Sequence, residues 1–385
     1  MFYLGEKFQF PPQMCSRTFL LTIIIILLGA SCKEVAKEKP LSQHIRESTD
    51  KGIKDWADFP IGGAINVRKV LKDQKLDSIT VHNFNSITAT NDMKMYAIVK
   101  NDSIPDFTRV DSLVSYTEKN DMRLFGHALV WHYGLPKWIS QTTEEKGAAW
   151  AENFLKKYID TVMTRYKDKV VAWDVVNEAF DTKTGDYRKT FWYNTFGKGY
   201  IEKAFRYAHA ADPDAKLFYN DFGQEKYPEK LDSIITMVED FKNRGVPIHG
   251  IGLQMHLEMD TPEQAIADAL KKSAATGLLV HISELDIIFN KHNEENASGE
   301  QSITELTQEM KLAQAEKFKQ VALLYRKHVP KAQRFGITFW DYNDRDTWIK
   351  PFFDLKEWPT IYDENLDPKP AYYGFIEGLA TKLEN

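Results

Sequence analysis

Apolar and polar positions follow a repeating order along the chain from about residue 45 to its end. Short runs rich in β-branched and aromatic residues predict strands, and longer segments with apolar residues at helical spacing lie between them. The predicted strands are 61–67, 86–90, 123–131, 170–178, 216–221, 250–256, 279–286 and 334–341. The predicted helices include 108–119, 146–166, 200–211, 228–244, 261–276 and 303–328. The pattern therefore alternates strand and helix throughout.

This alternation predicts an α/β fold, a (β/α)8 TIM barrel in which residues 46–385 form a single domain. A doubly wound open sheet is the alternative architecture, because it also alternates strands and helices. It is less favoured because no glycine-rich phosphate-binding loop follows the first predicted strand.

Two apolar runs end in acidic residues, and they give the first indication of chemistry. The run 278–287 carries Glu284 and Asp286, which share one face of a strand because they are two residues apart. The run 172–180 ends near Glu178. A carboxylate at a strand end can simply be solvated, and that alternative stays open for each run alone. Two strands of one sheet that both end in glutamate would place two carboxyls across a cleft, as glycosidic bond cleavage requires.

Other predicted strands also end in polar or aromatic residues. In a (β/α)8 barrel the active site gathers at the C-terminal ends of the strands, so these residues are candidates for it. They are Asn91 and Lys94, His127 and Trp131, Asn177, Asn220 and Asp221, Gln254 and His256, and Trp340. Each has a structural alternative, such as a helix cap for Asp221. His132 should point away from His127 and belong to the core.

The amino-acid composition argues for some classes of binding partner and against others. The chain has 385 residues, a formal net charge of -5 and an aromatic content of 13%. The acidic balance argues against nucleic acid, since phosphate binding favours a basic surface. Aromatic residues fill cores, and they also stack on sugar rings. The two cysteines, Cys15 and Cys32, precede the predicted domain, so we expect no disulfide, cysteine-ligated metal or thiol nucleophile in it.

The N-terminal segment predicts export. Arg17 precedes an apolar run at 18–30 that ends in small residues, which is typical of a secretory signal and too short for a comfortable transmembrane helix. Met14 is a possible true start, because residues 1–13 add nothing that a signal needs.

Cys32 directly follows Gly-Ala-Ser, as in bacterial lipoprotein signals. We expect cleavage after residue 31, a lipid on Cys32, and a charged tether over 32–45. The protein would then be held at the outer membrane, on its periplasmic or cell-surface side. An ordinary signal with an incidental cysteine is the alternative.

The chain resembles family-10 glycoside hydrolases, the endo-β-1,4-xylanases, from about residue 55 to its end. The segments that carry the resemblance are Phe-Asn-Ser-Ile-Thr-Ala-Thr-Asn-Asp-Met-Lys (84–94), Gly-His-Ala-Leu-Val-Trp-His (126–132), Trp-Asp-Val-Val-Asn-Glu-Ala (173–179), Asn-Asp (220–221), Gly-Ile-Gly-Leu-Gln-Met-His-Leu (250–257), Ser-Glu-Leu-Asp-Ile (283–287) and Ile-Thr-Phe-Trp (337–340). The resemblance implies a retaining hydrolase that cleaves internal bonds of xylan, without a cofactor, and we expect a monomer.

By this resemblance Glu284 is the nucleophile and Glu178 the acid/base. His256 would approach Glu284, with Asp286 holding that histidine, and Asn177 would bind the sugar 2-hydroxyl. The remaining substrate-binding residues implied are Asn91, Lys94, His127, Gln254 and Trp340, with Trp131 and Trp348 at the flanks and Asn220 in support.

Four positions depart from the family pattern. Thr90 stands where glutamate is usual and Gly134 where glutamine is usual, and both usual residues hold the second sugar on the non-reducing side. Phe222 replaces tyrosine, and Asp341 replaces glycine. We therefore expect tolerance of decorated xylan, unless a loop residue such as Asp92 or Asp341 restores the lost contacts.

Three other functions compete with this interpretation. Another (β/α)8 retaining β-glycanase would use the same two glutamates, and xylan against carboxymethylcellulose separates the two. A non-catalytic surface glycan-binding lipoprotein would not need both glutamates. A metal-dependent barrel hydrolase is weakly supported, because an early-strand His-x-His motif is absent.

Overall fold

Eight parallel strands close into a barrel in the computed structural model, which describes residues 41–102, 104–293 and 298–383. The strands are β1 (Ile61–Ile65), β2 (Ser86–Ala89), β3 (Arg123–Gly126), β4 (Val170–Asn177), β5 (Lys216–Asp221), β6 (Gly250–Leu253), β7 (Leu279–Ile288) and β8 (Arg334–Phe339). The ring closes because β8 pairs with both β7 and β1, with Ile337 opposite Ile282 and Ile61. The predicted (β/α)8 barrel is confirmed.

Helices connect successive strands and cover the outside of the barrel. They are α1 (Leu41–Glu47), α2 (Gln74–Asn83), α3 (Thr108–Lys119), α4 (Lys137–Lys146), α5 (Ala148–Arg165), α6 (Gly199–Ala211), α7 (Pro228–Asn243), α8 (Glu263–Ala275), α9 (Gln308–His328) and α10 (Pro370–Ala380). Shorter helices lie at Val67–Val70, Met95–Ile98, Phe191–Phe196 and Ile349–Phe353, with 3-10 turns at Ile53–Trp56 and Lys331–Gln333. Their apolar faces pack on the strands, which are buried almost throughout.

Two predicted strands are interrupted in the structure. The predicted strand 123–131 divides into β3 and a two-residue strand, Val130–Trp131, that pairs with the end of β4. The predicted strand 250–256 divides into β6 and His256–Glu258, because Met255 adopts a left-handed backbone with φ of 57°. The second short strand pairs with β7 and places His256 opposite Asp286.

Two predicted helices have different starts. The predicted helix 146–166 begins two residues later, as α5, because Gly147 with φ of 81° separates it from α4. The predicted helix 303–328 begins at Gln308, where the Thr307 hydroxyl caps the helix by accepting a hydrogen bond from the Met310 N–H at 3.2 Å. Local backbone geometry and capping set these boundaries, and neither depends on apolar spacing.

The predicted signal, Met14, Cys32 and most of the predicted tether lie outside the described residues. The described part begins with α1, which overlaps the last residues of the predicted tether and buries Ile45. Within residues 41–102, 104–293 and 298–383, no helix is both long and apolar enough to cross a membrane.

Apolar rings fill one layer of the barrel interior. Phe125 of β3, Phe218 of β5 and Phe335 of β8 touch one another, with ring centroids 4.6 to 5.7 Å apart. His281 of β7 packs on Phe125 at 4.8 Å. The polar residues of the predicted site lie beyond this layer, at the C-terminal ends of the strands.

Candidate active site

A cleft of about 410 Å³ lies at the C-terminal ends of the barrel strands. Eleven of the predicted site residues line it, namely Asn91, Lys94, His127, Trp131, Asn177, Glu178, Gln254, His256, Glu284, Trp340 and Trp348. The two residues predicted to support the site, Asn220 and Asp286, lie behind this surface and contact its members. The structure therefore brings together every residue that the sequence placed in the site.

Glu284 is buried near the end of β7 and is surrounded by donors. Asn220 Nδ2 donates to its Oε1 at 2.8 Å, and His256 Nε2 lies 3.5 Å from its Oε2. His127 Nδ1 lies 4.0 Å from Oε1. Burial alone would raise the pKa of Glu284, but His127, His256 and Lys94 together hold it below its usual value. This carboxyl is therefore ionised, as a nucleophile must be.

His256 is held in place by a second carboxylate of β7. Its Nδ1 lies 3.0 Å from Asp286 Oδ2, which also accepts a hydrogen bond from the Trp348 indole at 2.8 Å. Burial raises the pKa of Asp286, while His256 and the indole oppose that rise. The alternation of side chains along β7 puts Glu284 and Asp286 on one face, so a single histidine bridges them.

Glu178 follows the last residue of β4 and has a left-handed backbone, with φ of 58°. Its Oε1 accepts hydrogen bonds from Asn177 Nδ2 at 3.0 Å and Gln254 Nε2 at 3.2 Å. Burial raises the pKa of Glu178, and the nearby Asp221 carboxylate raises it further. The pKa values of the two glutamates are therefore shifted in opposite directions, so that Glu178 favours the protonated form and Glu284 the ionised form.

Side-chain amides connect the two glutamates. Asn220 Nδ2 donates both to Glu284 Oε1 and, at 2.9 Å, to Asn177 Oδ1. Ser283 in turn donates to Asn220 Oδ1 at 2.7 Å. This chain of bonds fixes Asn177 and both carboxyls relative to one another before any substrate enters.

Asp174 is a buried partner of the site that the sequence analysis did not single out. Its Oδ2 lies 2.8 Å from His127 Nδ1. Burial raises the pKa of Asp174 to about 6, although His127 opposes the rise. An acidic residue inside a buried strand was the available signal, but its partner lies 47 residues away in the chain.

Asp221 was given a helix cap as its alternative explanation, and the structure shows a different role. Its Oδ1 forms a fully buried ion pair with Lys230 Nζ of α7 at 2.7 Å. The Tyr219 hydroxyl donates to Asp221 Oδ2 and itself accepts the Ala179 N–H at 2.9 Å. Asp221 therefore connects α7 to the backbone beside Glu178.

Lys94 lies between two indoles that line the same cleft. Its Nζ is 4.5 Å from the Trp131 ring centroid and 5.4 Å from that of Trp340. Burial lowers the pKa of Lys94, and Glu284 and Glu178 oppose that change. Asn91 is exposed at the rim, where its Oδ1 accepts a hydrogen bond from the Tyr96 hydroxyl at 2.7 Å.

The positions that depart from the family pattern also lie at the cleft. Thr90, Phe222 and Asp341 line it, and Gly134 follows the lining residue Tyr133. The cleft also includes Lys69, Arg188 and Asp346, which the sequence analysis did not name. His132 is half-buried and does not line it. In the part of the chain that the structure describes, no group of three or more His, Cys, Asp or Glu residues is arranged to hold a metal ion.

Known proteins are similar to this chain in both sequence and fold. The model of glycosyl hydrolase family 10 matches residues 52–378. An endo-1,4-beta-xylanase from Geobacillus stearothermophilus is 36% identical over 329 residues, which is 83% of this chain and 95% of that protein. Endo-1,4-beta-xylanase A of Cellvibrio japonicus is 36% identical over 362 residues, and the match covers 87% of this chain but only 57% of the relative.

Solved structures agree with the sequence matches. Xylanase 10C of Cellvibrio japonicus, solved as a variant with xylopentaose, superposes with a TM-score of 0.79 at 34% identity, covering 86% of this chain and 69% of that one. A family 10 enzyme from Paenibacillus barcinonensis gives 0.78 at 32% identity, with 85% and 96% coverage.

Proposed function

This chain belongs to glycosyl hydrolase family 10, and we propose that it is a retaining endo-1,4-β-xylanase that hydrolyses internal bonds of xylan. The observation that carries the proposal is the pair of buried glutamates in one cleft with pKa values displaced in opposite directions. The xylanase names of the relatives and the xylopentaose bound to the Cellvibrio enzyme support xylan as substrate.

In the proposed mechanism each glutamate performs one step. Glu284 attacks the anomeric carbon while Glu178 donates its proton to the departing glycosidic oxygen, which forms a covalent glycosyl-enzyme. Glu178, now ionised, takes a proton from a water molecule that attacks the same carbon and releases Glu284. Asn177, held by Asn220 and Gln254, would bind the sugar 2-hydroxyl.

Hydrolysis assays test this proposal directly. The purified protein should release xylo-oligosaccharides from linear xylan and leave carboxymethylcellulose intact. Proton NMR during the first minutes should show the β-anomer of the new reducing end before mutarotation, as retention requires. Initial release of the α-anomer would refute the retaining mechanism, and preference for carboxymethylcellulose would favour the rival β-glucanase.

We further propose that decorated xylan is accepted relatively well, because the wall that normally holds the second sugar is thinned. Thr90 is almost buried, and its hydroxyl lies 3.4 Å from the Ile65 carbonyl oxygen. Each hydrogen bond lost to the sugar costs about 0.5–1.5 kcal/mol, so two losses weaken a plain chain by roughly ten- to a hundredfold.

The double replacement Thr90→Glu with Gly134→Gln tests this idea. A Cβ atom at Gly134 would lie 3.4 Å from the Trp131 ring, an ordinary contact, so the longer side chain has room to start. We expect kcat/KM to rise on linear xylo-oligosaccharides and to fall on branched ones. A shift of both substrates in the same direction would refute the open subsite while leaving the glycosidase assignment intact.

We also propose that the protein is exported and carries a lipid on Cys32. The support is in the sequence, where an apolar run ends in Gly-Ala-Ser before that cysteine. The catalytic domain would then act on xylan chains while held at the outer membrane.

A further inference from the structure

Asp341 has a backbone conformation that its residue type does not favour. It follows Trp340 at the end of β8, lines the cleft, and has a left-handed backbone with φ of 46°. Glycine adopts this conformation without strain, and the family resemblance implies glycine at this position. An aspartate kept at such a position is a candidate for function, since strained residues cluster at binding sites.

Burial and nearby carboxylates outweigh the groups that stabilise the ionised form of Asp341. Lys69, which is also paired with Asp346 at 2.5 Å, and the Trp348 backbone N–H lower the pKa of Asp341, but less than its surroundings raise it. Asp286 is a second carboxyl nearby, and Lys94 faces both catalytic glutamates as well as Asp341. Burial, reinforced by Asp346 and Asp286, raises the pKa of Asp341 to about 8. At neutral pH the side chain therefore favours the protonated carboxylic acid, which has an O–H to donate.

A carboxyl with a raised pKa weakens folding as pH rises, because it must ionise against its surroundings. The folded pKa of Asp341 lies above its ordinary value, so the contribution of Asp341 to stability is lost between pH about 4 and about 8. A carboxylic acid that is kept protonated in a cleft has a use in donating a hydrogen bond to a ligand.

The barrel order places Asp341 on the same rim as the thinned wall. The ends of β8, β1 and β2 are consecutive in the ring. Asp341 follows β8, Lys69 lies in the short helix Val67–Val70 beyond β1, and Thr90 follows β2. By the family resemblance, Thr90 stands where the second sugar on the non-reducing side is held. Lys94 and Trp340, next to Asp341, line the place assigned to the reacting sugar.

We propose that Asp341 is a specificity-determining residue whose carboxyl hydrogen-bonds a hydroxyl of the second sugar on the non-reducing side. This assignment rests on the proposed xylanase function. One bond from Asp341 holds a plain second sugar from the β8 side, while the space beside Thr90 and Gly134 stays open for a branch. The protonated acid both donates and accepts, whereas the carboxylate only accepts.

Two aryl substrates that differ by one sugar isolate this contact. An aryl β-xyloside occupies only the reacting subsite, and an aryl β-xylobioside also fills the second one. Asp341→Gly should lower the ratio of kcat/KM for the xylobioside to that for the xyloside by about three- to tenfold. Asp341→Asn, whose amide still donates and accepts, should keep the ratio within about twofold. Asp121→Gly is the matched control, because Asp121 is an exposed aspartate with φ of 51° that does not line the cleft.

The pH dependence separates a substrate contact from a structural role. In the parent the ratio should change above about pH 8, where Asp341 ionises and can only accept a hydrogen bond, and in Asp341→Asn it should stay flat. An unchanged ratio in Asp341→Gly, or equal losses on both substrates, would overturn this assignment while the parent remains a working xylanase. A parent that cleaves neither substrate would overturn the proposed function itself, and this assignment with it.

Discussion

The buried ion pair between Lys230 and Asp221 makes Lys230→Met the most informative test of how the fold supports the site. Both side chains are 0% exposed, and the Nζ to Oδ1 distance is 2.7 Å. Methionine is unbranched like lysine and only one heavy atom shorter, and it is compatible with the Phe222 ring, whose centroid lies 3.9 Å from Nζ. The replacement therefore removes the charge with little change in packing.

Loss of the cation leaves a carboxylate buried without its counter-charge. Breaking one side of a buried ion pair costs about 3–5 kcal/mol, and most of this cost is the uncompensated charge. The remaining donors to Asp221 are the Tyr219 hydroxyl and the Phe222 N–H, the latter at 2.9 Å. They solvate the carboxylate in part, so we expect a loss near the lower end of that range.

Urea unfolding followed by tryptophan fluorescence measures the effect, and the double variant Lys230→Met with Asp221→Asn completes a cycle. The double variant should recover most of the stability, because neither charge remains. Lys75→Met is the control, since Lys75 pairs with Asp367 at 2.9 Å with side chains 53% and 66% exposed. That exposed pair should contribute less than about 1 kcal/mol.

A loss under about 1 kcal/mol at pH 7, or a double variant that is no more stable than Lys230→Met, would refute this account of the pair.

Three further predictions concern catalysis and location. Glu284→Gln should abolish nearly all activity, since the covalent intermediate needs the carboxylate, and turnover within about tenfold of the parent would contradict the assignment. Glu178→Ala should lose xylan hydrolysis but retain the first step on an aryl xyloside with a good leaving group, with azide restoring turnover as a β-azido product. Equal losses without azide rescue would exclude Glu178 as the acid/base. Cys32→Ser should leave an active enzyme that no longer partitions into detergent, and continued partitioning would contradict the lipid anchor.

The barrel architecture and the two glutamates of the cleft could be predicted from the amino-acid sequence alone. Apolar runs of strand length that alternate with helical segments are local properties, and eight of them suffice for a barrel. Because every barrel strand points the same way, residues at the ends of strands converge wherever they fall in the chain. Glu178 and Glu284 could therefore be placed in one cleft without coordinates.

The element boundaries that depend on single backbone angles could be seen only in the folded chain. Gly147 moves the start of a predicted helix, and Met255 divides a predicted strand, because both have a positive φ. Apolar spacing does not report backbone angles, so it could not locate either boundary.

The contacts between polar residues of different elements, and the pKa shifts that follow from them, could also be seen only in the folded chain. Asp174 meets His127 and Asp221 meets Lys230 across different elements, and neither pairing leaves a trace in local sequence. The same holds for Asp341, whose neutral carboxyl results from burial and from neighbours on other segments. The pKa of a carboxyl depends on the loss of water and on charges within a few ångströms, and the folded chain alone fixes both.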